Sequence, residues 1–159
     1  MSIAFTPREA ELLKRSLAAV SADPRRAADL FYANLFARLP DVRDLFVADM
    51  TRQGDKLLAT LNAVILQIED WQGIEAQIGE LGLRHVAYGV QPGHYAPTGL
   101  ALRAMLAEIL GPDFSAEHDA AWARAYDAIA GAMITAIERR KSVQPDEDGG
   151  GGVESRNPA

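Results

Sequence analysis

The sequence predicts an all-α domain over residues 1–141, followed by a polar tail over residues 142–159. Three observations carry this. Apolar residues recur at helical spacing in one segment after another. The segment ends carry capping and stop signals. No stretch shows the apolar–polar alternation of a half-buried strand. The pattern implies about six to eight helices with short connections.

Each element has its own signal. Thr6-Pro7-Arg8-Glu9 is a capping box with proline in the first helical position, and Leu12, Leu13, Leu17 and Val20 follow at helical spacing. Asp23-Pro24 starts a second helix with Leu30, Phe31 and Leu35 on its apolar face, and Leu39-Pro40 stops it. Pro40 to Phe46 reads as one or two short helical turns. Arg52 to Glu69 carries a broad stripe of Leu57, Leu58, Leu61, Val64, Ile65 and Ile68. Ile74 to Tyr88 reads as a fifth segment, and Gln91-Pro92-Gly93 breaks it. A sixth helix fits Pro97 to Leu110 and ends at Gly111-Pro112. Ser115 caps the last and longest one, which carries Trp122, Tyr126, Ile129, Met133, Ile134 and Ile137. The tail SVQPDEDGGGGVESRNPA is polar and glycine-rich. It cannot bury enough surface to offset the entropy of ordering, so it reads as disordered.

Composition excludes several function classes. The chain has no cysteine, so disulfides, thiolate metal sites and cysteine nucleophiles are ruled out, and a reducing cytoplasm is the expected setting. A formal charge of −6 with no isolated basic cluster argues against nucleic-acid binding. No apolar run is long enough to span a membrane, and the first residues lack the order of a signal peptide.

The stretch LGLRHVAYGV, residues 81–90, places His85 in a helix between apolar residues. Taken alone, His85 is most simply a half-buried helix histidine satisfied by a neighbour. The chain has three histidines, and their spacing supplies no set of three or four zinc ligands. No strand-turn-helix nucleophile elbow accompanies them. One cofactor, however, needs a single strong protein ligand. Haem iron can be held by one neutral imidazole with its opposite face open to a gas.

Five pieces, in order, resemble the globin family over residues 6–140. Asp29-Leu30-Phe31-Tyr32 and Asn34-Leu35-Phe36 resemble the second helix of bacterial globins, where a tyrosine enters the gas pocket. Pro40, Val42 and Leu45-Phe46 resemble the corner that sets a phenylalanine against haem. Gln53, Lys56 and Leu57 resemble the helix crossing the open face. Leu81-Gly82, His85, Gly89-Val90 and Tyr95 resemble the stretch around the iron-binding histidine, with His85 following Gln53 by 32 residues. Ala121-Trp122 and Ala125-Tyr126 resemble the last helix. The match is nearest to single-domain bacterial haemoglobins and the globin half of flavohaemoglobins.

The resemblance implies a three-over-three helical sandwich holding haem b. His85 would be the proximal iron ligand, Phe46 would pack on the porphyrin face, and Tyr32, Gln53 and Leu57 would lie on the distal side. Hydrogen-bond donors there would strengthen the hold on partly anionic dioxygen and slow its release. Plainer roles stand beside these: Tyr32 as a core tyrosine and Gln53 as a solvated helix residue. On the proximal side Tyr95 matches a tyrosine of the flavohaemoglobin-like group. The place of its companion glutamate falls on Ile137, with Glu138 next to it, turned by about 100°. That departure argues against a strong electron push through the histidine.

The expected function is reversible binding of dioxygen and other diatomic gases at ferrous haem, for transport or storage. The alternative is nitric oxide dioxygenation, which would draw electrons from a separate reductase, since nothing in the chain resembles one. A sensor and a haem-free globin-like protein are less favoured. A monomer or homodimer is expected, with dioxygen, nitric oxide and carbon monoxide as ligands.

Overall fold

Local capping chemistry sets where the helices begin and end. The computed structural model describes residues 3–46 and 49–143. Helix α1 (Pro7–Ser21) opens on the expected capping box: the Glu9 N–H donates to Thr6 Oγ1 at 3.1 Å, and the Thr6 N–H donates to Glu9 Oε1 at 3.0 Å. Helix α2 (Pro24–Arg38) is capped by Asp23, which accepts from the Arg26 N–H at 3.2 Å. A 3-10 helix, Pro40–Leu45, follows directly. Helix α3 (Met50–Leu66) begins two residues before the expected Arg52, because the Asp49 carboxylate accepts from the Thr51 N–H at 3.0 Å. Helix α4 (Trp71–Ala87) begins three residues early, continuing from a 3-10 turn at Ile68–Asp70. Helix α5 (Tyr95–Leu110) starts two residues before Pro97, whose missing N–H is no loss in a first turn. Helix α6 (Ala116–Val143) runs two residues past the expected domain boundary. The rest of the expected tail, residues 144–159, lies outside the described residues.

The described residues are helical with no strand, as the sequence predicts. Helix α2 packs on α5 and crosses α3, α4 lies along α6, and α1 bridges α6, α5 and α3. The core runs from Leu13, Leu17 and Val20 through Met105 and Leu106 to Trp122. Trp122 Nε1 donates to Ser16 Oγ at 2.7 Å, and that hydroxyl donates to the Leu12 carbonyl at 2.6 Å. This leaves no orphan in the buried contact between α1 and α6.

Two close approaches fix the helices that matter most below. A Cβ at Gly54 would lie 2.7 Å from the Ala28 Cβ, so α3 and α2 cross there nearly backbone to backbone. A Cβ at Gly82 would lie 2.7 Å from the Met133 Cα and 2.9 Å from its carbonyl oxygen, so α4 sits equally close to α6. Helices α3 and α4, by contrast, make no packed interface with each other.

Candidate functional site

His85 lies in the last turn of α4. The helix ends just beyond it because Gly89 takes a φ of +93°, a left-handed conformation that closes the C-terminus at low cost for glycine alone. The Tyr88 and Val90 N–H groups then donate to the His85 carbonyl at 3.1 and 3.0 Å. The side chain is half-buried, and its Nδ1 stands 2.7 Å from the Leu81 carbonyl one turn earlier. A carbonyl only accepts, so Nδ1 carries the proton and Nε2 keeps its lone pair. That tautomer leaves Nε2 as the nitrogen able to bind a metal, and the bond also fixes the ring.

The other two histidines are used locally. His94 Nδ1 accepts from the Gln91 N–H at 3.0 Å, and His118 Nδ1 lies 2.7 Å from Ser115 Oγ at the start of α6. No three His, Asp or Glu side chains gather into a metal site among the described residues.

Helix α3 carries a second apolar stripe. It buries Leu58 and Ile65, while Leu57, Leu61 and Val64, at the helical spacing i, i+4, i+7, stay only half-buried. Gln53 is half-buried in the first turn of the same helix. Tyr32, one turn along α2 from the Ala28 crossing, is buried at 8 % exposure. Burial pushes its phenol up to about 12, with no hydrogen bond contributing, so the hydroxyl stays protonated and a donor at neutral pH. Phe46, half-buried after the 3-10 helix, lies edge-on to Tyr32 with ring centroids 5.3 Å apart.

Tyr95 begins α5 and is 8 % exposed. Its hydroxyl is fully buried with no hydrogen-bond partner among the described residues, and burial raises its pKa. Glu138 is exposed and Ile137 half-buried, so the carboxylate faces away from the packed side of α6, as the helical rotation predicts. Sequence reasoning missed the role of Tyr126, whose hydroxyl donates to the Tyr95 carbonyl at 2.6 Å. A contact between residues 31 positions apart leaves no local signal.

These features fit haem. A flat apolar ring needs apolar side chains that are only partly buried and one imidazole of defined tautomer, and both are present. An open surface concavity of about 410 Å³ lies elsewhere, between α5 and the start of α6. Its one cation, Arg103, is held by Asp119 at 2.7 and 2.6 Å, so it offers no free charge to a ligand.

Comparison with known proteins agrees with this geometry. The family model described as Globin matches residues 29–133. Flavohemoproteins are similar in sequence. That of Deinococcus radiodurans is 29 % identical over 133 residues, covering 82 % of this chain and 33 % of the relative. That of Burkholderia sp. is 31 % identical over 128 residues, covering 76 % and 32 %. The chain thus spans about a third of the length of these curated relatives. Among solved structures, an engineered carbene transferase, a proposed nitric oxide dioxygenase from Rhodothermus marinus, is 29 % identical with a TM-score of 0.76, covering 88 % of this chain and 98 % of that one. A bacterial globin from Campylobacter jejuni has a TM-score of 0.72 at 20 % identity, covering 86 % and 99 %, a likeness of fold.

Proposed function

The chain belongs to the globin family, and from that premise we propose that it binds dioxygen and other diatomic gases reversibly at ferrous haem b, for oxygen transport or storage. Family membership itself implies haem and diatomic ligands. When bound, haem supplies an iron whose open face takes up a small gas. The single observation that carries the reading is the His85 Nδ1 contact to the Leu81 carbonyl at 2.7 Å, which leaves Nε2 as the free ligand nitrogen.

The residues divide the work. His85 would hold the iron, and the Leu81 carbonyl would keep its ring and tautomer fixed. Phe46, Leu57, Leu61 and Val64 would supply apolar surface that keeps water from the ring. Tyr32, neutral at any physiological pH, would donate from its hydroxyl to a bound gas that gains negative charge. Gln53 would offer a second donor from α3. Tyr95 would lie on the proximal side without a carboxylate partner, so little extra basicity would reach His85.

A second reading is nitric oxide dioxygenation with electrons from a separate reductase. The likeness to the Rhodothermus marinus protein favours it. Absorption spectra of the purified protein in the ferric, reduced, oxygenated and carbon monoxide forms test the site. An intense violet band that shifts with each ligand is the expected result. No such band after haem is added would overturn the reading. The lifetime of the oxygenated form with and without nitric oxide then separates carrier from enzyme.

A further inference from the structure

Tyr32 is held by aromatic rings. Its ring stacks with Phe36 at 5.9 Å and 25°, and meets Phe46 edge-on at 5.3 Å and 67°. Phe36 and Phe46 close the triangle at 5.6 Å and 65°. The three centroids fall within the range where aromatic pairs attract. Phe31 adds a fourth ring 5.2 Å from Tyr32, but it is the chain neighbour and its place follows from the helix. Phe36 comes from one turn further along α2, and Phe46 from the far end of the 3-10 helix. Over Phe36 lies the Arg43 guanidinium, 5.0 Å from the ring centre.

We propose that Phe36 is a positioning residue for gas binding: it sets the direction of the Tyr32 hydroxyl and ties that direction to the seat of Phe46, with Arg43 holding Phe36 from outside. The proposal rests on the reading of Tyr32 as the donor to the gas. A buried tyrosine is ordinarily aimed by the partner of its hydroxyl, and Tyr32 gains no hydrogen bond within the described protein. What remains to aim it is the packing of its ring. Phe36 meets both Tyr32 and Phe46 and is itself covered by the Arg43 guanidinium, so a shift of Phe36 moves the proposed donor and the ring of Phe46 together. Phe36 need not touch the gas to change its release.

The test uses the full haem-loaded chain and four variants: Tyr32→Phe, Phe36→Leu, the double variant, and Phe36→Tyr, which keeps the ring. Two quantities are read: the dioxygen dissociation rate, and the carbon monoxide stretching frequency, which senses a nearby donor. Phe36→Leu is expected to quicken dissociation about three- to tenfold and shift the stretch in the same direction as Tyr32→Phe does. Phe36→Tyr restores both values. In the Tyr32→Phe background Phe36→Leu has a much smaller effect, because the hydroxyl it aims is gone and only the contact with Phe46 remains. An equal effect of Phe36→Leu with and without Tyr32 would overturn the proposal, since general loosening of the pocket would then explain it. If Phe36→Leu fails to retain haem, the exposed change Arg43→Gln decides: a shift of about twofold in the same direction supports the proposal and no shift overturns it. No effect of Tyr32→Phe itself would sink the donor assignment and the positioning role together. An effect there with none from Phe36→Leu would sink only the positioning role.

Discussion

The Tyr126 hydroxyl donates to the Tyr95 backbone carbonyl at 2.6 Å, while the Tyr95 hydroxyl is buried with no partner of its own among the described residues. One tyrosine thus fastens the start of α5 to α6, and the other carries an unmet polar group into the same region. Burial raises the pKa of both phenols. The two are unequal in what their hydroxyls do for stability.

Removing the Tyr95 hydroxyl should therefore cost little. A buried donor that makes no bond has already lost its water, so Tyr95→Phe is expected to change stability by less than about 1 kcal/mol, or to raise it. Urea unfolding measures this. A loss well above that value would reveal a partner for the hydroxyl.

His85→Ala removes the imidazole whose Nδ1 is held by the Leu81 carbonyl and whose Nε2 is left as the proposed iron ligand. Haem should then pass to a scavenging protein more than about 100-fold faster, beyond the 10- to 100-fold typical of losing an outer partner of a ligand. Absorbance after mixing follows the transfer. A wild-type rate would mean that another group holds the iron.

Tyr32 makes a prediction about pH. Its phenol moves from the ordinary value of 10.0 to about 12 on folding, so the folded state holds the proton more tightly than the unfolded chain does. The stability tied to that proton is intact below pH 10 and is lost as pH climbs through 12. Dioxygen release should accordingly be flat from neutral pH to about 10. In Tyr32→Phe release should be about 10- to 100-fold faster at every pH. Stopped-flow rates across pH check both, and an unchanged rate in Tyr32→Phe would mean that a different group is the donor.

Gly82→Ala reads the contact between α4 and α6. The new methyl would meet Met133 backbone at 2.7 Å, where neither helix can give way by a side-chain rotation. Forcing the helices apart is expected to cost about 1–3 kcal/mol. His85 follows Gly82 by three residues on the same helix, so haem affinity should fall with stability. Thermal unfolding with a haem titration checks both. A normal affinity in a destabilised protein would mean that the histidine does not depend on that crossing.

Much of the fold, and the residues of the proposed site, can be read in the order of the amino acids. Thr6, Glu9, Asp23 and Pro24 announce their helices because capping is local chemistry between residues two or three apart. His85, Tyr32, Gln53 and Phe46 stand out through their order and spacing. The early starts of α3 and α4 are less legible. Asp49 is one acid among many until its carboxylate is seen on the Thr51 N–H, and the turn at Ile68–Asp70 continues an apolar pattern without a break.

The sequence by itself determined the helices, their apolar faces and a histidine of the right kind, since each depends on neighbours along the chain. Tertiary structure alone decided that α3 packs on α2 while α4 packs on α6, that Met133 leaves room only for a glycine at position 82, that Tyr95 keeps an unpartnered hydroxyl among the described residues, and that Phe36 links Tyr32 to Phe46. Those outcomes rest on contacts between distant segments, and the chain selects them only when all the helices pack at once.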